Sequence, residues 1–178
     1  MTISIVVDTE TTGLLLPSAS PIEKQPKIIE LCIIRVENGT ETEKHDWLIN
    51  PGEPISEEIT KITGITNDML IGKPSFCDLV PEIRAAFAGA DNFIAHNAPF
   101  DAEIIRNELR RNGIEYFVWP ENILCTVNEY KHEYGRRMKL TELYERKIGK
   151  PLLQTHRALD DVKALIEILD KDNFWNAL

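Results

Sequence analysis

The chain has 178 residues, with 20 Lys and Arg against 29 Asp and Glu, a formal charge of −9 and 43% hydrophobic residues. These totals suit one folded domain over residues 1–178 with a core of its own; they exclude a disordered chain, and no apolar run approaches the ~18 residues that cross a bilayer. The acidic balance argues against holding nucleic acid by bulk charge, although carboxylates gathered around cations would reverse that locally.

Ile3 to Gly13 reads ISIVVDTETTG, a short β-rich apolar run that ends in a polar cluster, as a buried strand does. Asp8 and Glu10 sit at that end. Side chains two apart on an extended chain share a face, so the two carboxylates project together from the sheet rim. Like charges held side by side favour a compensating cation, and an oxygen-only donor set favours Mg²⁺ or Mn²⁺ over zinc. The alternative is a strand followed by a solvated polar turn. Leu14 to Lys27 contains Pro17, Pro21 and Pro26 and is expected to be a surface loop beside the acids.

Ile28 to Val36 and Glu43 to Ile49 read as the next two strands, joined across Asn38-Gly39, which predicts a hairpin and antiparallel neighbours. Ser56 caps a short helix through Lys61, and Ser75 caps a longer one whose Phe76, Leu79, Val80, Ile83 and Phe87 share a face. Asn92 to Ala95 reads as a strand running into His96 and Asn97. Pro99 then opens a helix to about Asn112, with Phe100, Ile104, Ile105 and Leu109 inward. Ile123 to Thr126 is the last strand, followed by helices from Val127, from Leu140 to the Gly149 stop, and from Arg157 to Leu169. Cys32, Cys77 and Cys125 lack metal-type spacing and are expected to be reduced, buried thiols of a cytoplasmic protein. The first strand starts almost at the N-terminus, leaving no room for a signal peptide.

Two further acids stand out. Asp101 lies in the first turn of its helix, where the dipole favours a negative group whether or not it does chemistry. On a helical wheel Ala158, Val162, Leu165, Ile166 and Leu169 define the buried side of the last helix. Asp161 falls at the margin of that side and Asp160 nearly opposite it, so Asp161 is the inward candidate. His156, just ahead of that helix, has the chemistry to take a proton near neutral pH, although a helix-start histidine needs no such role. His96 stays open because it precedes Asp101 in one loop.

DTETTG at 8–13, HNAPFD at 96–101 and HRALDD at 156–161, with ITGIT at 62–66 between them, resemble in order and interval the three exonuclease motifs of the DEDDh family, the DnaQ-like 3′ to 5′ exonucleases. The resemblance covers nearly the whole chain. Ile49-Asn50-Pro51-Gly52 followed by Pro54-Ile55-Ser56 looks like the small stand-alone bacterial DNA exonucleases and polymerase proofreading subunits. The tyrosine-type branch would carry Tyr where this chain has Arg157.

The resemblance implies an α/β, ribonuclease H-like fold: a mixed five-stranded sheet flanked by helices. It implies that Asp8, Glu10, Asp101 and Asp161 hold two divalent ions, Mg²⁺ or Mn²⁺, and that His156 is the general base. At the 3′ end the Thr11 backbone would meet the terminal hydroxyl and Leu14 would wedge against the last base, with Asn97 nearby. Arg136 and Arg137, with Lys139, are candidate phosphate contacts, well placed on the pliable loop at Gly135 ahead of the last motif; Arg106, Arg110 and Arg111 are candidates too, but a solvated charged face is the better explanation for those three. The implied partner is a single-stranded or frayed 3′ end, DNA ahead of RNA, with the chain acting in repair or proofreading alone or in a polymerase or repair complex. RNA trimming and a binding module without turnover are the alternatives. The long 14–27 loop departs from the compact family form, and the sequence leaves the oligomeric state open.

Overall fold

The computed structural model describes residues 2–153 and 156–178. Its centre is a five-stranded sheet in the order β3-β2-β1-β4-β5, built from β1 (Ile3–Thr11), β2 (Ile28–Glu37), β3 (Thr40–Leu48), β4 (Asn92–Ala95) and β5 (Asn122–Cys125). β1 to β3 form an antiparallel meander, while β4 and β5 run parallel to β1. The sheet is therefore mixed, as expected. Seven helices accompany it among the described residues: α1 (Glu57–Thr63), α2 (Asn67–Leu70), α3 (Phe76–Phe87), α4 (Ala98–Arg111), α5 (Thr126–Tyr134), α6 (Leu140–Ile148) and α7 (Ala158–Lys171).

Alternation along β1 and β2 divides the core in two. Ile5, Val7, Leu31 and Ile33 pack with α3 and α4 through Ile83, Phe87, Ile104 and Ile105. Val6, Cys32 and Ile34 pack on the other face with Leu143, Val162, Leu165 and Leu169 of α6 and α7. Each such aliphatic side chain contributes about 1.5–3 kcal/mol on burial before ordering costs are set against it. A sheet covered on both faces explains why Ile28 to Val36 is a nearly unbroken apolar run.

Several boundaries differ from the sequence reading, each for a physical reason. β1 continues through Asp8 to Thr11 because β2 pairs with it over that whole length, so both acids lie inside the strand. β3 starts at Thr40, since Asn38 and Gly39, with φ of 48° and 80°, close a two-residue turn. The polar residues after it are strand residues because β3 is an edge, and a register shift near Arg35 absorbs one extra residue. Thr66 caps the additional short helix α2. Thr126 begins α5 rather than ending β5. Phe100 is half-buried, and Cys77 is exposed on α3, while Cys32 and Cys125 are buried free thiols.

The 14–27 loop carries a 3-10 turn at Ile22–Lys24 and is fixed in place. Arg111 Nη2 donates to the carbonyls of Ile22, Gln25 and Pro26, and Gln25 exchanges hydrogen bonds with Leu16. No helix among the described residues is long and apolar enough to cross a membrane.

Candidate active site

The candidate site lies at the carboxyl ends of the parallel neighbours β1 and β4. Asp8 and Glu10 project from β1 on the face that α7 covers. Asp161, in the first turn of α7 and only 7% exposed, faces them, while Asp160 points to solvent. This is the division that the helical wheel predicts. Ligand atoms of Glu10, His156 and Asp161 all lie within 4.8 Å of one another. Asp8, His96, Lys139, Leu140, Thr141, His156 and Asp161 line one cleft.

Asp101 reaches the same place from the opposite face of the sheet. It is 3% exposed in the first turn of α4, and Thr9 Oγ1 donates to its Oδ1 at 2.8 Å. Thr9 is the odd-numbered neighbour between the two β1 acids, so one strand presents carboxylates to one face and holds the third acid from the other.

The electrostatics fit a cation site. Burial first, then Asp101, Asp161, Glu10 and Glu30, hold the Asp8 carboxyl well above the carboxylate range. Burial and the neighbouring acids Asp161, Glu30 and Asp101 push Glu10 up to about 8 against a smaller lowering by Arg157. Burial raises Asp101 to about 7, with the Thr9 hydrogen bond opposing it. Four acids whose charges repel inside a half-buried cleft are an all-oxygen donor set suited to hard divalent ions. His156 is exposed at the cleft, with a left-handed φ of 50°.

His96 is a strut. Its Nε2 donates to the Met138 carbonyl oxygen at 3.0 Å, which leaves Nδ1 facing the Thr126 hydroxyl at 3.0 Å as an acceptor. Burial holds its pKa below the ordinary value, so it stays neutral and ties the end of β4 to the α5–α6 connection.

The residues expected at the 3′ end are less uniformly placed. Thr11 is buried and its hydroxyl donates to the Gly13 carbonyl at 2.7 Å, while Leu14 is 82% exposed and makes no core contribution. Asn97 adopts a left-handed φ of 80° and accepts from Arg137 Nη2 at 3.2 Å. Arg136 is turned into an exposed pair with Glu142, so Lys139 is the member of that basic group lining the cleft. Arg106 stacks on Trp119, Arg110 pairs with Glu103, and Arg111 latches the 14–27 loop, so these three have structural partners.

Glu30 belongs to none of the sequence motifs yet stands beside the site. It is 1% exposed on β2 and stands opposite Glu10 in the strand register. Both oxygens are occupied: the Arg157 guanidinium pairs with Oε1 and Oε2, and the Ala158 N–H donates to Oε2 at 2.9 Å. The signal is a charge inside an apolar stretch of strand, which must find a partner when buried.

Comparison with known proteins agrees with this architecture. The exonuclease family model, RNase T, matches residues 5–169. The chain is 33% identical over 175 residues to the DNA polymerase III subunit epsilon of Aquifex aeolicus, covering 96% of this chain and 81% of that one. It is also 33% identical over 171 residues to the PolC-type DNA polymerase III of Staphylococcus aureus, covering 94% of this chain but 11% of that much longer protein. Among solved structures, exonuclease X in complex with 5′ overhanging duplex DNA superposes with a TM-score of 0.66 at 26% identity, covering 96% of this chain and 93% of that one. The nuclease domain of 3′hExo, a DEDDh family member bound to rAMP, gives 0.76 at 17% identity, with 96% and 92% covered, and shows the shared fold.

Proposed function

The chain belongs to the RNase T exonuclease family, of the DEDDh 3′ to 5′ type, and on that premise we propose that it is a divalent-metal-dependent enzyme removing nucleoside 5′-monophosphates from DNA 3′ ends. The observation that carries this reading is the convergence of Glu10, His156 and Asp161 within 4.8 Å, in a cleft that Asp8 also lines. Two segments far apart in the sequence, β1 and residues 156–161, supply these groups, which a structural role alone does not require.

For the proposed reaction Asp8, Glu10, Asp101 and Asp161 are the residues that would hold two Mg²⁺ or Mn²⁺ ions. Bound there, such ions would acidify the attacking water and stabilise charge on the phosphate and the departing 3′ oxygen. His156, exposed at the mouth, accepts the proton of that water and passes it to solvent. Thr9 keeps one Asp101 oxygen oriented, so that the acid from α4 faces its partners from β1 and α7. Lys139 meets a backbone phosphate at the cleft wall, and Arg137 does so beside Asn97. Exposed Leu14, just beyond β1, stacks against the terminal base.

DNA is the preferred substrate because both relatives at 33% identity are DNA polymerase III components, which also supports a role in proofreading or repair. A 5′-labelled oligonucleotide with Mg²⁺ should yield a descending ladder, with DNA digested faster than RNA of the same sequence. No ladder at any divalent ion concentration removes the reading. An equal or faster RNA ladder transfers it to RNA trimming.

A further inference from the structure

We infer that Glu30 and Arg157 form a clamp that sets the positions of His156 and Asp161, making both positioning residues for the proposed reaction; the functional half of this inference rests on the exonuclease reading. α7 begins at Ala158 with Arg157 at its N-cap, and the Arg157 side chain makes no capping hydrogen bond. Glu30, from the neighbouring strand β2, caps the helix instead by accepting the Ala158 N–H at 2.9 Å. A carboxylate there complements the positive end of the helix and fixes its first turn.

The same carboxylate accepts from Arg157 Nε at 2.8 and 3.1 Å and pairs with its Nη2. A planar guanidinium held at two points cannot swing, in contrast to a lysine ammonium. Arg157 directly follows His156, whose left-handed φ of 50° is a conformation that a non-glycine residue holds only when its surroundings impose it. Asp161 follows one turn later, with its amide donating to the Arg157 carbonyl at 3.1 Å. Position on β2 is therefore transmitted through one buried carboxylate to the imidazole on one side and the α7 acid on the other. Because β2 pairs with β1, the clamp references both groups to the strand that carries Asp8 and Glu10.

The clamp also explains why Glu30, a fifth acid at the cleft, is not read as a metal ligand. Its oxygens are filled by donors of the protein.

The test uses Glu30→Gln, which keeps shape and removes charge at a buried site, and Arg157→Lys, which keeps charge and removes the fork. Hydrogen exchange should accelerate in residues 156–161 of Glu30→Gln while β1 exchanges as in the wild type. On the labelled oligonucleotide kcat should fall about 10- to 100-fold with KM nearly unchanged, and Arg157→Lys should lie between that variant and wild type. In a His156→Ala background the Glu30→Gln change should cost less than in the wild type, because one of the two groups it positions is gone and only the Asp161 part of the loss remains. A folded Glu30→Gln with wild-type kcat, an equal loss in both backgrounds, or unchanged exchange at 156–161 would overturn the clamp. Wild-type protein without nuclease activity would instead strike the exonuclease reading, and the exchange measurement would still decide the clamp.

Discussion

Glu10 and Glu30 stand opposite each other across β1 and β2, and the protein treats them in opposite ways. Glu30 receives a guanidinium and a helix-terminal amide. Glu10 receives burial and the repulsion of Asp161, Glu30 and Asp101, which raise it from 4.5 to about 8. One carboxylate is compensated by the chain itself, and the other belongs to a cluster that a cation would compensate.

The first prediction concerns stability against pH without metal. A carboxyl whose folded pKa exceeds its unfolded value binds its proton more tightly when folded, so its contribution is greatest below the unfolded pKa and is lost as pH rises through the folded pKa. For Glu10 and Asp101 that window runs from about 4 to about 8. Glu133, Glu142 and Glu167 are held below the ordinary range by Lys147, Arg136 and Tyr144, and they act outside it. Melting temperature in EDTA should therefore fall between pH 5 and 8.5, and excess Mg²⁺ should flatten the slope. A melting temperature that climbs across this range in EDTA would falsify the repulsive cluster.

The second follows from the same repulsion. Asp8 feels the charges of Asp101, Asp161, Glu10 and Glu30 on top of its burial. Asp8→Asn removes one member of that set while keeping its shape. At pH 8 in EDTA the variant should melt several degrees above the wild type, yet lose nuclease activity and most of the Mg²⁺-dependent rise in melting temperature. A variant less stable in EDTA and still stabilised by Mg²⁺ would mean that Asp8 is a structural acid.

The third isolates the proposed base. His156 is exposed and is not part of either core cluster, so His156→Ala should leave the melting curve nearly unchanged. Its kcat should fall about 10²- to 10⁴-fold, with KM within a few-fold of wild type. His96→Asn should behave differently. It breaks a half-buried strut to Met138 and Thr126, so lower melting temperature should accompany any loss of rate. Comparing the two melts and the two kcat values separates a proton acceptor from a structural imidazole.

Legibility in the sequence followed how local the governing physics was. Ser56, Ser75 and Pro99 mark helix starts that the structure repeats, because a cap acts within one turn. Asp161 and Asp160 were separable because their helix has one apolar side and 100° per residue decides which acid faces it. The start of β3 was not legible, since an edge strand needs no apolar residues once a neighbour supplies its hydrogen bonds. Arg136 could not be told from Lys139 in the sequence, because the choice depends on Glu142 in the first turn of α6. Glu30 required knowledge of which strands pair, and its partners Arg157 and Ala158 lie more than 120 residues away.

The fourth prediction uses that difference between the two cations. Lys139 lines the acidic cleft, whereas Arg136 is paired with Glu142 on the surface. A side chain that contacts a phosphate releases counterions on binding, so losing it weakens affinity across sequences and lowers the salt slope by about one. Lys139→Ala should therefore raise KM for oligonucleotides and flatten the dependence of log KM on log salt, with kcat close to wild type. Arg136→Ala should leave KM and its salt dependence unchanged, because the exposed pair that it breaks contributes little. Should Arg136→Ala and not Lys139→Ala shift the salt slope, the strand path would run outside the cleft, along the α5–α6 connection.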